Sequence, residues 1–543
     1  MNDPLPPPTD LFAPERSAAR GYDLGRPAEL ERFVNAVTAQ RGPWRAVSRI
    51  DGSGVAGGIA RTMQAPADRR RLIGEAVDAP ADAAAAAVAV ACAAFESWSH
   101  DSVGTRAALL DRWADALEHD VDELVARCVH EAGKTLPDAI ADVREAVDFC
   151  RYYAAQARRL FGAPLRLPGP TGERNELSFA GRGPFACIAP WNFPVAIFVG
   201  QVAAALAAGN TVVAKPAPQA PFCGARCIEL AHASGIPAQV LGLLIGGPEV
   251  GAALVAAPGL AGVAFTGSNA AAKRIQRSLA DAHDAILPLI AETGGVNLMF
   301  VDSTALPEQV TDAVIASAFR SAGQRCSALR VLALQEEVAD AHLAMIRDAL
   351  ETLVVGDPAD PATDVGPVID EAARERLEAH LHAMRARGHH VEQAALPVEC
   401  AHGCFVAPAI VMVDTIEQVG GEHFGPVLHV LRWPRHTLPA LLQQANALGW
   451  GLTMGLQTRL DARVALVRAS ARVGNLYVNR NMIGAVVGSQ PFGGEGLSGT
   501  GPKAGGPHTL LRFATERCFT ENTAAAGGDV ALIAGGRGSG PDR

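Results

Sequence analysis

A chain of 543 residues exceeds what one hydrophobic core accommodates, so two or three domains are expected. Hydrophobic residues make up 49% and charged residues 19%, the balance of a soluble globular protein. The formal charge of −10 argues against a nucleic-acid surface as the main business. Ten scattered cysteines fit free thiols in a reducing compartment, and the i, i+4 pairs Cys223/Cys227 and Cys400/Cys404 are looser than metal-binding pairs, so no metal is expected.

The first ten residues have neither a basic nor an apolar segment of the kind that marks a signal peptide. Residues 1–50 are Pro-rich, then charged and helical in places, and read as an arm or linker. The glycine-rich stretch 51–58 is not framed by a strand and a helix, so it reads as a flexible turn rather than a phosphate loop. Helical patterns cover 81–98, 104–132 and 136–159, with Tyr152 and Tyr153 as packing residues. The alanine run Ala83–Phe95 is too short and too weakly apolar to span a bilayer. Residues 165–178, interrupted by Pro168, Gly169, Pro170 and Gly172, read as a projecting hairpin.

From Phe185 the period changes. Strands at 185–188, 211–214, 241–245, 262–265 and 286–291 alternate with helices at 195–208, 220–234, 248–257 and 269–280, the pattern of a doubly wound parallel sheet. Such sheets bind ligands at the carboxyl ends of their strands. Trp191-Asn192, Lys215 and Gly267-Ser268 all fall at those ends. A second α/β pattern follows, with strands near 297–301, 328–335, 404–412, 427–432, 453–458 and 474–478. Another apolar strand pattern occupies 505–525, and the glycine-rich tail 526–543 is expected to be disordered. His380, His382, His389 and His390 cluster near a charged helix end and read as a solvated face, with a metal site as the lesser alternative.

Within the second region, Ser321–Ser327 places Cys326 after a small-residue turn and beside Arg325. Nearby positive charge would favour its thiolate. A cysteine alone is more often a buried small hydrophobe. Its company consists of Pro190-Trp191-Asn192-Phe193-Pro194, Phe265-Thr266-Gly267-Ser268, Glu292-Thr293-Gly294-Gly295, Glu422-His423-Phe424-Gly425-Pro426 and Pro491-Phe492-Gly493-Gly494. In this order, over roughly residues 50 to 525, the chain resembles the aldehyde dehydrogenase superfamily.

The resemblance implies a Rossmann-like cofactor domain (51–160 and 182–293), a catalytic domain (294–504) and a strand flap for oligomerisation (161–181 and 505–525). It implies Cys326 as nucleophile, Glu292 as the base for thioester hydrolysis, and Asn192 with the Cys326 N–H as oxyanion donors. For the cofactor it implies Trp191, Gly267, Ser268 at a phosphate, Lys215 at the adenosine ribose, and Glu422 with Phe424 at the nicotinamide ribose. NAD is expected and NADP remains possible, because Pro218 stands where many NAD-preferring members carry a glutamate. Each residue also has a plainer reading. Lys215 could be a surface lysine, Glu422 a loop acid, Ser268 only an N-cap and Asn192 only a turn residue.

The segments around Cys326 and Asn479–Pro507 resemble one branch, the L-glutamate γ-semialdehyde (1-pyrroline-5-carboxylate) dehydrogenases, especially the C-terminal half of bifunctional proline utilization A proteins. This implies that Ser327, Gly484 and Ala485 hold the substrate's α-carboxylate, with Phe193 and Phe492 against its aliphatic part. The resemblance also implies a cytoplasmic homodimer or larger homo-oligomer and a functional link to a proline dehydrogenase. Two other readings stay open: oxidation of another carboxylated aldehyde such as succinate semialdehyde, and a cofactor-binding structural subunit without turnover.

Overall fold

The computed structural model describes residues 7, 10–170 and 172–522; the tail expected at 526–543 lies outside them. Two seven-stranded sheets organise the molecule. The first runs in the order Leu289–Thr293, Gly262–Gly267, Pro184–Ile188, Thr211–Lys215, Leu241–Leu243, Arg49–Ile50, Ser53–Gly54. Its first five strands are parallel, and the last two form a short antiparallel edge. Strands such as Thr211–Lys215 are buried throughout, as expected when helices cover both faces. Trp113, Phe185, Phe198 and Phe222 fill one core of this sheet, and Val213, Leu244, Leu254 and Val263 fill another.

The second sheet runs Val391–Gln393, Ala409–Met412, Val427–Trp433, Leu329–Gln335, Asn297–Val301, Thr453–Gln457, Asn475–Val478. Only its first strand is antiparallel, and it packs a separate core around Phe300, Leu332, Ile346 and Val430. A third, three-stranded antiparallel sheet joins Leu165–Leu167, Arg174–Gly181 and Ala514–Glu521. Among the described residues, no helix is long and apolar enough to cross a membrane.

The structure corrects several boundaries. The pattern 104–132 is two helices, Val103–His119 and Val121–Ala132, separated at Asp120. Hydrophobic periodicity runs through a one-residue break. The break is fixed from elsewhere, by the two bonds that Arg226 donates to the Asp120 carboxylate, at 2.8 and 2.7 Å. The strand expected from 404 begins only at Ala409, because Pro408 has no N–H to give a ladder. In 505–525 a helical turn, Thr509–Phe513, precedes the strand. Residues 59–78 form a hairpin, Ile59–Ala65 with Asp68–Asp78, and Trp44–Val47 adds alongside in parallel. Its arginine-rich outer face hides an alternation that buries Met63, Ala65, Ile73 and Ala76.

Candidate active site

Cys326 is delivered by a strained turn. The helix Pro307–Phe319 ends, and Ser321, Ala322 and Gly323 follow at φ of 56°, 52° and 66°. Two non-glycine residues in the left-handed region persist only where the surroundings dictate it. At Gly323 a Cβ would lie 2.2 Å from the Gly425 carbonyl oxygen, so no other residue fits. Asp138, fully buried, organises the turn. It accepts from Ser321 Oγ at 2.6 Å and from Arg325 Nη2 at 2.8 Å. Burial opposes its charge, but Arg325, Arg320 and Lys134 together hold the carboxyl down at about 2. Asn297 Nδ2 donates to the carbonyls of Cys326 (2.7 Å) and Ala328 (2.8 Å), fixing the nucleophile's own backbone.

The expectation that Arg325 favours the thiolate is not met. Its guanidinium is spent on Asp138 and Ser321. Burial, with the Glu422 and Glu292 carboxylates, pushes the Cys326 thiol up to about 12. The resting protein therefore stores a neutral thiol.

Glu292 ends the strand Leu289–Thr293 and lines the same cavity as Cys326. Its Oε2 accepts from the Gly494 N–H at 3.0 Å, and Oε1 is buried without a partner. Burial raises the carboxyl to about 8. A Cβ on Gly493 or Gly499 would press on this carboxylate at 2.6 and 3.0 Å, which explains the glycines wrapped around it.

One cavity of about 140 Å³ is lined by Cys326, Ser327, Glu292, Phe193, Gly484, Ala485 and Phe492, so six of the predicted residues join the nucleophile in one space. Asn192 stands beside them. Its side-chain amide donates to the Gln324 carbonyl at 3.0 Å, and its own carbonyl accepts from Lys134 Nζ at 2.7 Å.

The remaining predicted residues lie on the cofactor sheet or beside the Cys326 loop. Gly267-Ser268, Trp191 and Lys215 follow three neighbouring strands, as the topology rule requires. Ser268 caps the helix Asn269–Ala282, accepting from the Ala271 N–H at 3.3 Å. The Lys215 ammonium is buried and lowered by that burial to about 8; its Nζ donates a long bond, 3.4 Å, to the Pro216 carbonyl. Trp191 meets Phe424 edge-on with centroids 5.5 Å apart, and Glu422 accepts from the Gly295 N–H at 3.0 Å. At Gly294 a Cβ would lie 1.9 Å from the Glu422 carboxylate, so that approach also demands glycine. A buried ammonium with donors to spare, a helix N-terminus and a buried acid fit a dinucleotide. At Pro218 the carbonyl accepts from Arg61 Nη2 at 3.0 Å, so a guanidinium stands close to the position of the missing carboxylate.

Sequence reading missed one whole face of the site. The helix Leu136–Phe161 presents Asp138, Asp142 and Glu145 at i, i+4 and i+7, followed by Phe149 and Tyr153. Asp142 pairs with Lys134 at 3.3 Å and accepts from the Ala196 N–H at 2.7 Å. Glu145 lines the cavity, and burial raises its carboxyl to about 8. The signal was available: three acids on one helical stripe otherwise made of apolar residues.

The histidines also depart from expectation. His382 and His390 are exposed, but His380 turns inward. Its ring stacks on His423 with centroids 3.4 Å apart, and its Nε2 lies 2.9 Å from His429 Nε2. His423 donates to the Val419 carbonyl and His429 to that of Arg330. Burial keeps all three rings neutral, with His380 and His429 near 3. Their nitrogens fall within 4.8 Å of one another. Stacked planes do not converge on one ion, however, and Arg387 and Arg330 add positive charge beside them. We read a hydrogen-bonded trio behind the Glu422 loop.

A cysteine at the end of a strained turn and a buried acid thus line one cavity beside a parallel Rossmann-like sheet. The aldehyde dehydrogenase family model matches residues 60–518, and the chain belongs to that family. It is 46% identical over 523 residues to the bifunctional protein PutA of Klebsiella aerogenes, covering 94% of this chain and 39% of that protein. It is 36% identical over 463 residues to the 1-pyrroline-5-carboxylate dehydrogenase of Geobacillus kaustophilus, covering 84% and 89% of the two chains. A crystal structure of a bifunctional proline utilization A protein superposes with a TM-score of 0.88 at 50% identity, over 96% of this chain and 50% of that one. The chain thus spans half or less of these two PutA proteins.

Proposed function

We propose that the chain oxidises L-glutamate γ-semialdehyde, the open form of 1-pyrroline-5-carboxylate, to L-glutamate. The observation that carries this is the shared cavity, with Cys326 and Glu292 alongside Ser327, Gly484 and Ala485. The thiol gives its proton to water, and its sulfur bonds to the aldehyde carbon as the carbonyl π pair moves onto oxygen. The resulting oxyanion takes bonds from the Cys326 N–H and from the second N–H of the Asn192 amide, whose first N–H is held by the Gln324 carbonyl. A bound nicotinamide dinucleotide supplies the hydride acceptor. Glu292, ionised, takes a proton from the water that cleaves the thioester and returns the thiol.

NAD is the expected cofactor, held by Lys215, Ser268 with its helix N-terminus, Glu422 and the Trp191–Phe424 pair. Residues 51–160 and 182–293 form the cofactor domain and 294–504 the catalytic domain. The three-stranded sheet serves as the oligomerisation flap and pairs with a second copy, burying strand edges that are otherwise open. A proline dehydrogenase, on another chain or on a longer form of this one, supplies the substrate.

Glu145 favours this substrate over succinate semialdehyde. A second carboxylate in the cavity gives an α-amine a partner, and succinate semialdehyde has no amine. The test is a panel of aldehydes followed by absorbance of the reduced nicotinamide. Glutamate semialdehyde should be turned over with the highest kcat/KM. Faster oxidation of propanal would refute the substrate, and equal rates with succinate semialdehyde would remove the role given to Glu145.

A further inference from the structure

The N-terminal segment reaches the loop that carries Gly484 and Ala485 through one side chain. Arg16 is nearly buried, with its side chain 5% exposed. Its Nη1 pairs with Asp148 Oδ1 at 2.8 Å, and the same oxygen accepts from the Ala19 N–H at 3.0 Å. Its Nη2 donates to the Val487 carbonyl at 2.9 Å. The Phe12 ring covers the guanidinium, its centroid 3.7 Å away.

Val487 lies two residues beyond Ala485, on the loop that borders the cavity. The other shoulder of this loop is held in the same way. Arg480 Nη2 donates to the Ile483 carbonyl at 3.2 Å, and its Nε to that of Asn481 at 3.1 Å. Gly484 and Ala485 therefore lie between two carbonyls that arginines hold in place. Gly484 has a φ of +76°. Gly488, at a φ of +83°, strains any other residue, and a side chain there would have to push its neighbours aside. A Cβ there would lie 3.2 Å from both Arg16 Nη2 and the Tyr152 ring. The Gly488 N–H donates to the Gly505 carbonyl at 3.0 Å, and the Gly505 N–H to Tyr153 Oη at 2.9 Å.

We propose that Arg16 is a positioning residue for substrate selection: by holding the Val487 carbonyl, it sets Gly484 and Ala485 at the height where their N–H groups meet a carboxylate. This rests on the cavity's reading as a glutamate semialdehyde site. The physical reason is the short lever. Ile483 and Val487 anchor the loop in the core, but Gly484 and Ala485 between them have almost no side chain to pack, and the charge-assisted bonds at the two shoulders fix their backbone instead. The nucleophile loop is held separately, through Asp138, so loss of Arg16 leaves Cys326 in place.

The experiment uses the full chain with Arg16→Gln, Arg16→Lys and, as a comparison, Ser327→Ala. Glutamate semialdehyde and propanal are the substrates, with hydrogen exchange read on peptides covering residues 483–490. Arg16→Gln should raise KM for glutamate semialdehyde about tenfold or more, the value of a lost charge-assisted bond. Its kcat, and kcat/KM for propanal, should stay within about twofold, and exchange in 483–490 should quicken. Arg16→Lys should fall between the parent and Arg16→Gln. If Arg16→Gln does not fold, Gly488→Ala presses on the same contact from the loop side and should give the same selective rise in KM. Equal losses for both aldehydes, or an unchanged KM, would overturn the role of Arg16. If Ser327→Ala is selective for the carboxylated aldehyde and Arg16→Gln is not, only this inference falls. If neither is selective, the reading of the cavity falls with it.

Discussion

Glu292→Gln preserves the shape of the site and the bond from the Gly494 N–H, but an amide cannot take a proton from water. In the parent protein, burial sets the Glu292 carboxyl at about 8. About one-tenth is then ionised at pH 7 and about nine-tenths at pH 9, so thioester hydrolysis should quicken roughly tenfold over that range. Removing the base should slow hydrolysis by about 10²–10⁴ while leaving hydride transfer possible. The assay is stopped-flow absorbance of the reduced nicotinamide, with the acyl-enzyme formed first so that the high pKa of Cys326 does not enter the measured step. The variant should give a burst of one reduced cofactor per subunit, then a slow phase that no longer depends on pH. Steady turnover in the variant within tenfold of the parent, or a parent hydrolysis rate that is flat from pH 7 to 9, would remove Glu292 from the mechanism. Stability gives an independent check. A carboxyl raised from 4.5 to about 8 binds more protons in the folded than in the unfolded chain. Stability is therefore lost as pH rises through that window, and the melting temperature of Glu292→Gln should fall less steeply there.

Ser327→Ala should lose about 1.5–3 kcal/mol in kcat/KM for glutamate semialdehyde, with propanal hardly affected; equal losses in side-by-side kinetics would reduce Ser327 to a positioning role for Cys326. Deleting residues 508–543 should yield monomer or aggregate, because it removes the strand Ala514–Glu521 that pairs with Arg174–Gly181; an unchanged oligomer by light scattering would refute the flap. NAD should be preferred over NADP with only moderate discrimination, since Pro218 offers no carboxylate to repel a 2′-phosphate. A strong NADP preference in paired kinetics would refute this and point to Arg61.

The sequence by itself determined the parts with local signatures. The alternation of apolar strands and helices from Phe185 onward fixed the cofactor sheet, because strands buried on both faces are apolar throughout. Glycines marked the places where a carboxylate or a backbone comes too close for a Cβ, at Gly294, Gly323 and Gly493. Cys326, Glu292, Ser327, Gly484 and Ala485, which meet in one cavity, were legible as candidates because each lies in a short motif. Tertiary structure decided what those groups experience. Arg325 adjoins Cys326 in sequence, yet its charge is taken by Asp138, which is 187 residues away along the chain, and the thiol is raised rather than lowered. His380 belonged to a charged helix, yet it faces His423 and His429 across the second sheet's core. Asp138, Asp142 and Glu145 lay on a helix to which no site role was given, and Arg16 in a segment that read as an arm or linker. Local pattern reports which face of an element is apolar. It does not report which distant charge will be buried against that face, and in a low-dielectric interior that distant partner sets the protonation and position of every group in this site.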